Sequence, residues 1–501
     1  MKNKLLNSSI FRFIERGIVV LTSLLLMPYF IKVLGSEQYG LWVLVLSIMG
    51  WFDVVSLGFP QAVQRQIIQA LELKDNKRVN IVFSTGLVLF GSLGLASVLI
   101  LIGLTQVPAI FGVEGVNQIT LINILLILSV KILWGFMMNP FHGFFSGLLR
   151  FDIDANISSL NVILKALLVF WLISDFNIWG AVAATLLSDT LTNLLKVYYA
   201  KKLFPSLTFS TNLVSRKEIL DLFSYSKHIV LNGIAVTIAS KSGPLIITQL
   251  FDLHSVAVQR VATSLTMHLR AFIISVTGVF SPIFNQMAAR KQNMEKVFIQ
   301  TTTINMFVST VLHLCLLMFG KVFILLWVGS EFEYSVFMLY AVIFSSLCSS
   351  LSNSTNSILL AQANHKLLSV VTITSVCINI PLSIFLGLKL GLIGVVLGAG
   401  ITNTFFNIVV QMILFKHYND YKVSGLYKQL FLALLLTYGL GFIGVYLLDW
   451  LKIDTWLELV ISGTIAFPII ILICWVLLLN NELKAKLYDL IIGQLKSKKT
   501  A

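Results

Sequence analysis

The chain has 501 residues, of which 57% are hydrophobic and only 12% charged, with a formal net charge of +14. A soluble domain carries about 25% charged residues, so this balance excludes an ordinary globular enzyme or binding module. Apolar runs of roughly 18 residues or more recur from end to end, each long enough to cross a hydrocarbon core of about 30 Å, whereas the short alternating segments of a membrane β-barrel are missing.

The apolar runs predict an all-α polytopic membrane protein with about fourteen spans, at about 10–33, 41–62, 81–104, 118–139, 157–174, 179–200, 228–250, 256–282, 297–319, 334–360, 367–386, 391–415, 428–449 and 457–479. The first segment contains Glu15 and Arg16 and lacks a small-residue cleavage pattern, so it reads as a span and not a signal peptide. Alternate connections are basic: Lys2, Lys4 and Arg12, then Arg65, Lys74, Lys77 and Arg78, then Lys201, Lys202, Arg216 and Lys217, and so on to the Lys-rich tail. The intervening connections carry Glu37, Glu114, Asp175, Asp252, Glu331, Glu333, Asp449 and Asp454. This asymmetry places both termini in the cytoplasm. It also assigns the positive charge to topology and to anionic lipid of the bilayer, with no nucleic acid expected.

The loops are short, so function must lie within the helices. The expected organisation is a six-helix bundle over 1–204, a cytoplasmic linker over 205–227, a second six-helix bundle over 228–418, and two additional spans with a basic tail over 419–501. In the linker, Ser215 and Glu218 have capping-box spacing ahead of Ile219, Leu220, Leu222 and Phe223, which predicts an amphipathic helix on the membrane surface. The two bundles look like parallel repeats. "GAVAATLLSDTLTN" (180–193) aligned with "GVVLGAGITNTFFN" (394–407) pairs Gly180 with Gly394, Asp189 with Asn403 and Asn193 with Asn407; "GFPQAVQRQ" (58–66) echoes "FSPIFNQMAAR" (280–290). Two-bundle transporters of this kind place a substrate site at the repeat interface, so a central cavity is expected.

Five bases fall inside predicted spans: Lys131, Lys165, Lys241, Arg260 and Arg270. Each costs about 2.5–3.5 kcal/mol at mid-helix on insertion scales, so they are not expected to face lipid together. Arg260, one turn inside its span, is placed to snorkel. Asp53 and Asp189 are the available in-span acids, too few to neutralise the rest, which predicts a solvated, net-cationic cavity. On one helix Gly233, Thr237, Ser240 with Lys241, Pro244 and Thr248 share a stripe; on the next, Thr263, Met267 and Arg270 do. Residues 345–357, "SSLCSSLSNSTNS", form the densest polar stretch, with Ser346, Ser349, Asn353 and Asn356 on one face. That face reads equally as helix–helix hydrogen bonding or as contact with a glycan. Glu15 and Arg16 suggest an interfacial ion pair or a gate. Asp152-Ile153-Asp154 reads as loop charge despite its D-x-D form, the seven histidines lack metal-ligand spacing, and the four cysteines read as core residues. No catalytic signature or metal site is expected, and the chain does not read as an enzyme.

The stretch 15–67 carries a likeness. With Arg16-Gly17 in the first helix, Leu34-Gly35 and Tyr39-Gly40 at the turn, and Asp53 and Leu57-Gly58 near the end of the second helix, it resembles bacterial O-antigen and polysaccharide flippases of the multidrug/oligosaccharidyl-lipid/polysaccharide exporter superfamily. The resemblance implies a pair of bundles around a cationic cavity in the bacterial inner membrane, moving an undecaprenyl-diphosphate-linked oligosaccharide by alternating access for O-antigen or capsule. It implies Lys241 and Arg270, assisted by Lys131, Lys165 and Arg260, as ligands of the diphosphate or of acidic sugars. Arg16, Glu15, Asp53 and Asp189 become gating or coupling residues. No cofactor is implied beyond coupling to H+ or Na+, and a polysaccharide polymerase with its chain-length machinery is the expected partner. The chain has no mid-span base in its second helix, which argues against a peptidoglycan precursor as cargo. The alternative on the same fold is a cation-coupled multidrug exporter, whose organic-cation substrates favour buried acids.

Overall fold

A computed structural model describes residues 2–486 and 488, apart from 57, 363 and 422. The described residues are helical throughout, without strands, and twelve of the helices are long and apolar enough to span a membrane. The first of these, Ile14–Phe52, has 39 residues, about 58 Å at 1.5 Å per residue and nearly twice the hydrocarbon thickness. It is two helices joined at Gly35, whose φ of 78° and ψ of 166° belong to a backbone region open only to glycine.

Contacts divide the chain into two units, residues 1–257 and 258–501. The first holds α1 (Lys2–Phe52), α2 (Phe59–Glu72), α3 (Asn76–Thr105), α4 (Gly115–Gly147), α5 (Phe151–Phe176), α6 (Ile178–Leu203) and α7 (Arg216–Leu250). The chain passes into the second unit within α8 (Leu253–Gly278). There follow α9 (Ser281–Ala289), α10 (Glu295–Val328), α11 (Tyr334–Ala361), α12 (His365–Leu390), α13 (Leu392–Phe405), α14 (Gln411–Asn419), α15 (Ser424–Trp450) and α16 (Trp456–Leu478).

Within the first unit, α7 is latched at both ends. At its far end Gln249 Nε2 donates to the carbonyls of Ala109 (2.7 Å) and Ile110 (2.6 Å). At its start the 205–215 segment is strapped along α3. Asn80 donates to the Ser206 carbonyl (2.9 Å) and accepts from the Thr208 amide (3.1 Å), and Thr85 Oγ1 accepts from the Ser215 amide (3.1 Å). Ser215 caps α7 by accepting from the Glu218 amide, and Glu218 pairs with Arg78 at 3.7 Å. The expected surface helix is therefore the first part of α7 itself. Its buried Glu218, Leu222 and Ser226, at four-residue spacing, turn one face inward.

The internal repeat is visible in backbone geometry. Asn177 (φ 51°, ψ −136°) and Gly391 (φ 73°, ψ −157°) adopt related positive-φ conformations at the starts of α6 and α13. Three residues later the amides of Gly180 and Gly394 donate to their respective carbonyls, both at 2.9 Å. A Cβ on Gly180 would lie 2.4 Å from the Leu172 carbonyl oxygen, and one on Gly394 would lie 2.0 Å from that of Leu386. The matching register, 172/180 against 386/394, is one helical hairpin built twice. The second echo also holds locally, since α2 and α9 are both short helices with proline in their first turn.

Because the atoms facing these glycines are main-chain, neither site can yield by a rotamer change. Gly180→Ala and Gly394→Ala are each expected to cost about 1–3 kcal/mol by overpacking, read as a lowered melting temperature of the detergent-solubilised protein. Gly91→Ala, with nothing within 4 Å of the added methyl, should leave it unchanged.

A candidate anion site in the first unit

The in-span lysines of the first unit converge on two carboxylates. Asp189 projects from the middle of α6, and its Oδ1 accepts from Lys165 Nζ of α5 at 3.3 Å and from Asn161 Nδ2, one turn earlier on α5, at 2.9 Å. Its Oδ2 faces Lys131 Nζ of α4 at 3.5 Å. Asn161 also donates to Thr192 Oγ1 at 2.9 Å, which fixes the amide. One carboxylate thus draws α4, α5 and α6 together through charge-assisted bonds.

Asp53 extends the network. It lies in a short 3-10 turn, Asp53–Ser56, immediately after α1, within electrostatic range of both Lys131 and Lys241. Lys241 reaches it by lying across Gly50 of α1: a Cβ at position 50 would stand 2.9 Å from Lys241 Cε and 3.3 Å from its Nζ. The absent side chain at Gly50 is what admits the lysine stem. Pro244, inside α7, lacks the amide that would serve the Ser240 carbonyl next to Lys241.

Three lysines therefore meet two aspartates, and one positive charge is left over. The side chains of Lys131, Lys165 and Asp189 are 33%, 27% and 18% exposed. They are partly shielded from bulk water, which strengthens their mutual attraction relative to fully solvated charges. Toward the basic end of the bundle, Lys196 lies two turns beyond Asp189 on α6, within electrostatic range of both Asp189 and Asp154. Asp154 pairs with His142 Nδ1 at 2.6 Å, and Asp152 takes a bidentate bond from Arg150 at 2.9 and 3.0 Å. The D-x-D carboxylates are thus tied to bases, and among the described residues no cluster of His, Cys, Asp and Glu is arranged to hold a metal.

The remaining expected site residues lie elsewhere. Glu15 is half-buried and Arg16 exposed on α1. Arg260 and Arg270 belong to α8 of the second unit, where Arg260 contacts Met267 Sδ at 3.5 Å. Arg270 is exposed, though protein surrounds much of its side chain. The polar stripe of α11 is largely consumed inside the second unit. Ser346 bonds His313 Nε2 of α10 (2.9 Å), Ser349 accepts from Asn403 Nδ2 of α13 (2.9 Å), and Asn356 accepts from Gln411. Asn353 is half-buried. These amides and hydroxyls make interhelical hydrogen bonds. Asn407 joins them, accepting from Ser352 (2.6 Å) while its amide donates to the Asn403 carbonyl (2.7 Å), where the helix relaxes into a π turn over Phe406–Val410.

Asn161 and Lys196 escaped the sequence reading. Each had a signal: Asn161 lies one turn from Lys165, and Lys196 two turns from Asp189, on the same helical faces. The cysteines are free, with Cys348 and Cys474 buried as expected and Cys377 exposed.

The shared carboxylate predicts a non-additive pattern. Lys131→Met or Lys165→Met alone leaves Asp189 with a cation, so each should cost under about 1 kcal/mol. The double variant leaves Asp189 only the more distant Lys196 and should cost more than the sum of the single variants; thermal unfolding of the four proteins measures it.

The fold has known counterparts. The family described as polysaccharide biosynthesis protein matches residues 5–288, more than half of the chain. A curated relative, the uncharacterized membrane protein EpsK of Bacillus subtilis, is 23% identical over 472 residues, covering 89% of this chain and 90% of that protein. Among solved structures, the lipid II flippase MurJ in an inward closed conformation has a TM-score of 0.75 at 15% identity, covering 97% of this chain and 100% of that one. An inward-facing multidrug resistance MATE transporter of the MOP superfamily has a TM-score of 0.65 at 18% identity, covering 82% and 98%. The chain is a multi-pass membrane protein with the MOP-superfamily fold, and it belongs to the polysaccharide biosynthesis protein family.

Proposed function

We propose that the protein is a flippase that carries a polyprenyl-diphosphate-linked oligosaccharide from the cytoplasmic to the outer leaflet of the bacterial inner membrane, by alternating access, for O-antigen or capsule synthesis. The observation that carries this reading is the surplus positive charge of Lys131, Lys165 and Lys241 at the middle of membrane helices. A diphosphate crossing the bilayer needs cations at that depth, while its polyprenyl tail can stay in lipid. Arg270 and Arg260 of α8 supply further cations for the diphosphate or for acidic sugars. Asp53 couples the cycle to an H+ or Na+ gradient. Glu15 and Arg16 sit where a gate on the basic side would act, and both termini are cytoplasmic. The family match to polysaccharide biosynthesis and the fold shared with a lipid II flippase support a lipid-linked cargo. A polysaccharide polymerase and its chain-length partners would receive the product.

A bond to a charged group contributes about 1.5–3 kcal/mol, and 1.4 kcal/mol is roughly tenfold in affinity. The double variant Lys241→Ala/Arg270→Ala, expressed at normal membrane levels in a strain lacking the chromosomal copy, is therefore expected to lower surface polysaccharide about tenfold or more. Undiminished export with both charges removed would exclude them from the transport site.

A further inference from the structure

Asp189 occupies the position an anionic ligand would need. Its two oxygens take Lys165, Asn161 and Lys131, a donor set suited equally to a carboxylate and to phosphate oxygens. We propose that Asp189 is a built-in stand-in for the substrate anion. It holds the lysine pair in the empty protein, is displaced by the incoming diphosphate, and reclaims the lysines as the ligand leaves. The proposal rests on the anion-carrying function above and adds the residue that competes with the cargo.

Three observations separate a stand-in from a permanent neutraliser. The lysine contacts are long: the Lys131 and Lys165 pairs stand at 3.5 and 3.3 Å, and all three charged side chains retain some exposure. A displaced carboxylate is not stranded, because Lys196 lies within electrostatic range on the same helix. Seven residues separate them, so both share a face about 10.5 Å apart, and a helical side chain leans toward the N-terminus, which carries the lysine stem back toward Asp189. Finally, the hairpin itself does not require an acid at this position. The repeated hairpin places Asn403 at the corresponding position of α13, where its amide donates to Ser349. The acid occurs in the copy that has the lysines.

The experiment uses the full chain in lipid nanodiscs and inorganic pyrophosphate as the probe, with affinity measured by calorimetry. Asp189→Asn, the residue the second copy already uses, is expected to bind pyrophosphate about tenfold more tightly than wild type, and to flip lipid-linked cargo more slowly because release is no longer assisted. Equal or weaker binding overturns the proposal. If Asp189→Asn does not accumulate, Asp189→Ser takes its place. Independently, pyrophosphate should perturb a carboxylate band in the infrared difference spectrum of the wild type; an unperturbed carboxylate region overturns displacement. Lys131→Gln/Lys165→Gln separates the two readings. Loss of binding there with unchanged affinity in Asp189→Asn removes the stand-in but keeps the anion site, whereas no pyrophosphate binding to wild type or to Asp189→Asn removes both.

Discussion

An ammonium group inside a hydrocarbon slab has to be answered by an opposite charge or by water, and the first unit is organised around that requirement. Asp189 answers Lys131 and Lys165 together and so fixes how α4, α5 and α6 meet. Asp53, placed by the 3-10 turn after α1, lies within range of Lys131 and Lys241 and thereby links α1 and α7 to the same network. Asn161 holds the shared carboxylate in place from one turn below Lys165. Because the charges do not cancel, the network leaves an attraction for anions at a depth where uncompensated charge is otherwise excluded.

The second unit meets a similar need for polar partners with neutral groups. His313 is fully buried, with Nδ1 2.7 Å from the Ser309 carbonyl and Nε2 2.9 Å from Ser346. The carbonyl can only accept, so Nδ1 carries the proton and Nε2 accepts from the serine hydroxyl. Thr277, Asn305 and the Ser350 carbonyl continue the pattern across α8, α10 and α11. Such bonds hold membrane helices together without attracting a charged ligand.

The helices, the in-span bases and the repeat were legible in the sequence because each is a pattern along one chain: hydropathy, charge and a few matched letters. The partners of those bases were not, since they depend on which face of α4 turns toward α6, and hydropathy does not encode that. The stripe of α11 was ambiguous for a chemical reason. Serine and asparagine bind a sugar hydroxyl and a neighbouring helix with the same groups, so residue type could not decide between them. The anchoring of the 205–215 segment was not legible because it uses backbone groups of Ser206, Thr208 and Ser215, which every sequence possesses. Asn80 and Thr85 of α3 hold it along the first unit.

The twin glycine contacts at Gly180 and Gly394 have a meaning beyond packing. Two hairpins share the same cap and the same main-chain approach, so the chain carries an alignment of itself. Within that alignment the backbone constraints persist, while position 189 holds an acid and its counterpart 403 an amide. One hairpin meets its neighbours through a neutral amide and the other through a charge, so equal backbones need not offer equal surfaces.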